Sequence, residues 1–183
     1  MTAKFDPQKH HRQSIRLKGY DYTLAGEYYV TIVTHGRAFL FGDVVNGVMV
    51  LNDAGKIVEA AWFDLPNHYR HVVLGTFVIM PNHVHAIIIL MDMDDVHPTI
   101  VGAGLKPAPT EPIKRHGLPE IVRALKTFSA RRINELSNSR GVPVWQRNYY
   151  EHIIRNDDDA NRIHQYIESN PANWKNDANN TLK

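Results

Sequence analysis

Two apolar runs, residues 72–80 and 83–91, flank the dipeptide Pro81-Asn82, and no other part of the chain constrains the fold so strongly. Both runs are strand-length and rich in Val and Ile, and Pro-Asn is a tight-turn signal, so the segment predicts an antiparallel hairpin. An earlier β-branched and aromatic run, residues 27–41, predicts a first strand or pair of strands, and Asn46-Gly47 supplies a turn before Val48–Leu51. Asn52 is a candidate N-cap for a helix whose apolar positions Ile57, Val58, Ala61 and Trp62 recur at helical spacing until Pro66.

Further along, Pro119 suits a first helical position, and Ile121, Leu125, Phe128 and Leu136 fall near one stripe of a second helix, with Arg123, Thr127 and Arg131 on another face. A last strand over 149–154 and a helix opened by Asp157 or its neighbours and stopped at Asn170-Pro171 complete the pattern. The order is strand, helix, strand, strand, helix, strand, with one added helix. It predicts an α+β, ferredoxin-like sandwich with an antiparallel sheet and two helices on one face. Since 183 residues support one core comfortably and two poorly, a single catalytic domain over 1–183 is expected. A basic N-terminal arm (1–20) and a flexible, proline-rich insertion (92–118) attach to it.

Composition narrows the function. The formal net charge of +2 conceals an asymmetry, because residues 1–20 carry five Lys/Arg against one Asp and residues 111–155 carry nine Lys/Arg against four Glu. Two basic segments on an otherwise acidic chain suit a polyanionic partner, with a solvated arginine-bearing helix face as the plain alternative. The chain has no cysteine, so any metal must be held by histidine and oxygen ligands. Neither a membrane-spanning run nor a secretory signal is present in these residues, so a cytoplasmic location and no membrane partner are expected.

Three groups of residues can carry chemistry. His83 and His85 are separated by one residue on an expected strand, so both imidazoles project from one face as a bidentate metal site. Two structural histidines would show the same spacing. Tyr166 and Asn170 lie four residues apart on one face of the last helix, where a phenol could attack a phosphodiester and an amide oxygen could join the same metal. Core packing beside Ile163 and Ile167 is the competing reading of Tyr166. Trp145, Gln146, Arg147 and Asn148 combine a stacking surface with phosphate and base-edge donors. Tyr149 and Tyr150 must point to opposite faces of a strand, one of them toward the core.

The segments SIRLKGYDY, VNGVMVLNDAGKIV, FVIMPNHVHAIIIL and VWQRNYYEHIIRNDDDANRIHQYIESNP together resemble the REP-associated tyrosine transposases, relatives of the single-tyrosine insertion-sequence transposases of the HUH nuclease superfamily. The resemblance covers most of residues 14–175 outside the insertion. It implies that His83 and His85 are the metal-binding pair and Tyr166 the nucleophile. It further implies cleavage and rejoining of single-stranded DNA at hairpin-forming, REP-like palindromes, through a 5′-phosphotyrosine, with Mg²⁺ or Mn²⁺ and no nucleotide cofactor. Insertion-sequence relatives place Gln four residues after the tyrosine where this chain has Asn170, so the third ligand is to be sought there and at Glu151 or His152. Arg123, Lys126, Arg131 and Arg132 are expected to track phosphates, with Arg147 and Asn148 nearer the cleaved strand. A monomer or weak homodimer in a bacterial cytoplasm is implied. The alternatives are a hairpin-binding protein that does not cut, and a hydrolase whose His83–His85 metal activates water.

Overall fold

A computed structural model describes residues 17, 19–92 and 115–180. The basic arm, apart from Leu17, Gly19 and Tyr20, and the insertion between its ends at 92 and 115–118 lie outside the described residues.

Strands β1 (Gly26–Val33), β4 (Val72–Met80), β5 (His83–Leu90) and β6 (Tyr150–Ile154) form one antiparallel sheet in the order β4-β5-β1-β6. This is the ferredoxin-like order expected from the pattern, with β1 and β5 central. The hairpin of β4 and β5 turns at Pro81-Asn82, pairing Met80 with His83. A bulge at Leu74/Phe77 interrupts its register where the Gly75 backbone sits against Ile87; a Cβ on Gly75 would come within 2.9 Å of that side chain.

Strands β2 (Gly42–Val45) and β3 (Val48–Leu51) form a separate hairpin. Its two turn residues, Asn46 and Gly47, both have positive φ, 52° and 78°, as a type I′ turn requires. The run 27–41 is thus one strand rather than two. Thr34 ends it, Gly36 and Arg37 turn with φ of 63° and 56°, and the amides of Leu40 and Phe41 bond to the Pro81 carbonyl instead of to a sheet neighbour.

Helix α1 (Asp53–Phe63) starts at Asn52, whose side chain accepts from the Gly55 amide. The short α2 (Leu65–His68) takes Pro66 in its first turn, where a missing N–H costs nothing. Helix α3 (Leu118–Leu136) begins one residue before Pro119. Their apolar faces, including Val58, Trp62, Leu65, Ile121, Val122 and Leu125, pack on Tyr28, Val30, Ile32, Val84, Ala86 and Ile88, the side chains of one face of the sheet.

Helix α4 (Asp157–Ser169) takes the other face. Asn156 caps it by accepting from the Asp159 amide, and Asp157, Asp158 and Asp159 complement the positive end of its dipole. Ile163 and Ile167 pack on Tyr29 and Ile87, a much smaller cluster than the one opposite. The added helix therefore closes the second face of the sheet, and that is the face from which His83 and His85 project.

Candidate active site

Alternation along β1 and β5 places Tyr29, Thr31, His83 and His85 on the α4 face, with His83 opposite Val33 and His85 opposite Thr31. The Nε2 atoms of His83 and His85 are 3.0 Å apart. Both residues are buried, at 0% and 2% exposure. Burial holds their imidazoles below the ordinary histidine range, at about 4 for His83 and about 3 for His85, where proximity to His83 lowers it further. Both are neutral at physiological pH, the state in which imidazole binds a metal.

The tautomer of His83 follows from its neighbours. Asn82, fully buried, donates from Nδ2 to the carbonyls of Arg37 (3.2 Å) and Asn179 (2.8 Å), which turns its Oδ1 toward His83 Nδ1 at 2.8 Å. That oxygen can only accept, so Nδ1 of His83 carries the proton and Nε2 is a bare lone pair. Nδ1 of His85 faces two hydroxyl oxygens, Tyr29 Oη at 2.7 Å and Thr31 Oγ1 at 2.9 Å. A proton on that nitrogen leaves its Nε2 aimed at the Nε2 of His83. Two lone pairs at 3.0 Å repel unless a proton or cation lies between them.

A third donor comes from beyond α4. Asp177 groups with His83 and His85, one ligand atom from each lying within 4.8 Å of the others. Burial opposes ionisation of Asp177, but hydrogen bonds from the Asn179 amide and from Asn170, together with the two histidines, hold its carboxyl below the usual range. Asn170, also buried, donates from Nδ2 to Asp177 Oδ2 at 3.1 Å, while its own Oδ1 is buried with no hydrogen-bond partner among the described residues. Two neutral imidazoles, a carboxylate and an uncommitted amide oxygen form a donor set that fits a divalent ion such as Mn²⁺, and also Mg²⁺ where further oxygen ligands complete the shell. Asp177 was missed in the sequence, where the one available signal is that it is the only carboxylate side chain after Glu168.

The Tyr166 hydroxyl lies 3.4 Å from His85 Nε2, and its ring meets those of His85 and Tyr29 edge-on, at 5.1 and 6.4 Å between centroids. Burial raises this hydroxyl above the ordinary phenol range, and the negative Asp177 pushes it the same way, so it is held as a neutral phenol. Tyr166 is nevertheless 45% exposed, so it is the accessible member of the group. Tyr150, opposite Thr31 on β6, exposes its ring on the same face, 6.1 Å from Tyr29.

The remaining expected site residues do not form one line. Arg123, Lys126 and Arg147 line a cleft of about 580 Å³ between α3 and residues 142–149. Arg131 and Arg132 line a different groove against α1 and α2, and Arg131 is paired with Glu135 at 3.0 Å. The Lys126 ammonium is committed to the carbonyls of Gln146 (2.7 Å) and Arg147 (3.0 Å), and its burial lowers its pKa. Asn148 is exposed on the segment leading into β6. Glu151 stands opposite Val30, on the face away from the histidines, and His152 is bonded to Asp159 at 2.7 Å. Neither joins the cluster.

Fold and site define an α+β protein in which one face of an antiparallel sheet carries a His-His-Asp cluster and a helix lays a tyrosine against it. The same sheet and helix arrangement is found in a solved structure described as the REP-associated tyrosine transposase bound to a REP hairpin, with a TM-score of 0.56 over 87% of this chain and 74% of that one at 18% identity. No family model matches the chain. A Haemophilus influenzae protein described as a "Putative REP-associated tyrosine transposase" is 26% identical over 152 residues, 83% of this chain and 73% of that protein. Another protein of Haemophilus influenzae, of undescribed activity, is 39% identical over 189 residues, 97% of each chain. The chain is a relative of the REP-associated tyrosine transposases, and it belongs to one family with the last of these proteins. Among the described residues no helix is long and apolar enough to cross a membrane.

Proposed function

We propose that the protein cuts and rejoins single-stranded DNA at hairpin-forming repeats, with Tyr166 as nucleophile. The observation that carries the reading is the 3.4 Å approach of the Tyr166 hydroxyl to His85 Nε2, at the edge of a buried His-His-Asp donor set. The REP hairpin bound to the neighbouring structure supports hairpin DNA as the substrate class.

In this mechanism the Tyr166 oxygen attacks phosphorus at the scissile phosphodiester. A tyrosyl O–P bond forms, the P–O3′ bond breaks, the phenol gives up its proton, and the departing oxygen takes one to become a 3′-hydroxyl. The product is a 5′-phosphotyrosine, and attack by another 3′-hydroxyl reverses the step and rejoins strands. The Asp177 carboxylate, which has two oxygens, is the acceptor beside the phenol as its proton departs, while His85 Nε2 keeps its lone pair for the ion. A divalent ion held by His83, His85 and Asp177, with the Asn170 amide oxygen as a further donor, would supply positive charge for the phosphate oxygens. Helix α4 fixes the approach direction, because Ile163 and Ile167 hold it to the sheet while Tyr166 projects toward the cluster.

A hairpin-binding protein without cleavage is favoured by one observation. The histidine pair is covered by the chain after α4, where Trp174 packs on His83 at 5.9 Å and Asn179 bonds to Asn82. One experiment separates the two readings. The protein and its Tyr166→Phe variant are incubated with single-stranded hairpin oligonucleotides and Mn²⁺ or Mg²⁺, then run on denaturing gels. An adduct that needs Tyr166 and is lost with His83→Ala supports strand transfer; binding without adduct under either metal supports the second reading.

A further inference from the structure

Helix α4 meets the sheet through a small apolar stripe, and a polar contact stands on either side of it. Ile163 and Ile167 pack on Tyr29 of β1 and Ile87 of β5, the two central strands. Apolar contact is not directional, so a stripe of two side chains does little to stop the helix from rolling on the sheet. On one flank, His164 Nδ1 is hydrogen-bonded to the Thr76 hydroxyl of edge strand β4. On the other, Asp159 Oδ2 accepts from His152 Nε2 of the opposite edge strand, β6, at 2.7 Å, while its Oδ1 accepts from Arg162 at 2.5 Å. At about 100° per residue, His164 lies about 80° from the centre of the isoleucine stripe on one side, and Asp159 and Tyr166 lie about 60° and 80° from it on the other.

The bulge in β4 delivers the first of these contacts. Leu74 pairs with Ile88 and Phe77 with Ala86, so Gly75 and Thr76 together stand opposite the single residue Ile87. A bulge of this kind re-aims a side chain. Gly75, with no Cβ to strike Ile87, takes the crowded position, and Thr76 is left to meet α4. Thr76, His164, His152 and Asp159 all lie outside the donor set of His83, His85 and Asp177, so their effect is on geometry. Side chains reach about 5–6 Å from a helix axis, and a roll of about 20° therefore carries a side-chain tip about 2 Å. The Tyr166 hydroxyl lies 3.4 Å from His85 Nε2, and a displacement of that size takes the phenol away from the cluster.

We propose that Thr76–His164 and His152–Asp159 are positioning pairs, which fix the roll of α4 on the sheet and so hold the Tyr166 hydroxyl against the histidine cluster. The inference rests on the strand-transfer reading above for the use made of Tyr166. The four side chains act through the helix and not on the phosphate. Their two bonds sit on opposite flanks of the stripe, so each opposes a roll that would break the other, and loss of both should cost more than loss of either. The pairs contribute to the rate of attack rather than to the binding of DNA, because a misplacement of about 1 Å at a reacting atom can cost about 100-fold in rate.

The test uses the full chain in two measurements. In chelator and without DNA, nuclear Overhauser contacts between the rings of Tyr166 and His85, whose centroids are 5.1 Å apart, report the position of the phenol. With Mn²⁺ and a single-stranded hairpin oligonucleotide, single-turnover formation of the Tyr166 adduct reports the rate of attack. Thr76→Val and His152→Phe each delete one bond, and each should weaken the ring contact and slow attack about 10-fold. Together they should abolish the contact and slow attack about 100-fold, with hairpin affinity in chelator within about twofold of the parent. Thr76→Ser keeps the hydroxyl and should leave both readouts at the parent level. If the double variant lacks the circular dichroism of the parent, the same outcomes are read from Thr76→Val against Thr76→Ser. Retention of the ring contact, or a parent-like adduct rate, when the bonds are deleted overturns the proposal even though the parent forms the adduct. Loss of the contact in Thr76→Val but not in Thr76→Ser, in a parent that forms no adduct, upholds the positioning pairs and overturns strand transfer instead.

Discussion

Asn170 donates to Asp177 across 3.1 Å, and this contact ties the end of the helix that carries Tyr166 to the carboxylate that completes the histidine cluster. The reverse orientation of the amide would set its oxygen against the carboxylate, so Nδ2 must face Asp177 and Oδ1 is left for another partner. Removal of the carboxylate by Asp177→Ala is expected to lower Mn²⁺ affinity more than removal of the amide by Asn170→Ala. Asn170 acts twice, as a weak neutral donor through Oδ1 and as the outer partner of Asp177 through Nδ2, and outer partners are typically worth about 10- to 100-fold in affinity. Calorimetric titration of both variants tests this order; equal losses would place the two residues in the same role.

Tyr29 and Thr31 should be separable by the same measurement. Both oxygens face His85 Nδ1, but the Tyr29 ring also stacks on the imidazole with centroids 5.6 Å apart. Tyr29→Phe keeps the ring and deletes the hydroxyl, leaving Thr31 to accept the Nδ1 proton. We expect a metal-affinity loss of about 10-fold, with a stability change of only about 1 kcal/mol. Thermal melts in chelator, set beside the titrations, check both quantities.

Much of the geometry of this site is legible in the sequence. The His-x-His spacing on a strand fixed a shared face, and Pro81-Asn82 fixed the hairpin that presents it. The helix period joined Tyr166 to Asn170. Asp177 was not legible, because it reaches the cluster by a turn after Pro171 whose path is set by contacts of Trp174 and Asn179 with distant segments. The side of the sheet taken by α4 was equally hidden, since Ile163 and Ile167 make a helix amphipathic without stating which face receives it. Local signals also could not show that Lys126 spends its charge on two backbone carbonyls, or that Arg131 and Arg132 fall in a different groove from Arg123.

The two packing faces differ in size, and that predicts unequal local stability. Ile167 is fully buried but belongs to a cluster of four buried residues, whereas α3 contributes to the large core opposite. Ile167→Ala should cost about 2–5 kcal/mol, the usual range for emptying a buried aliphatic site. The loss should appear first as faster amide exchange in α4 rather than in α3, because small clusters open locally before the whole domain does. Hydrogen-exchange mass spectrometry of the variant decides; uniform acceleration of both helices would mean that the two layers unfold as one unit.

Acid should destabilise the metal-free protein, and the sign follows from the buried histidines. In the unfolded chain an imidazole titrates near 6.5, whereas burial holds His83 at about 4 and His85 at about 3 in the fold. Between those values the unfolded state binds protons that the folded state refuses, so stability is fully present above about pH 6.5 and falls as the pH drops toward 4 and 3. Asp177, also held below its ordinary value, acts with the same sign at lower pH, where its hydrogen bonds from Asn170 and Asn179 are lost on protonation. Bound metal should deepen the slope, because protons then compete with the ion for the same nitrogens. Melting temperatures from pH 8 to pH 4 in chelator are expected to decline steadily, and to decline less in a His83→Gln, His85→Gln double variant. An unchanged slope in that variant would assign the acid sensitivity to groups outside the cluster.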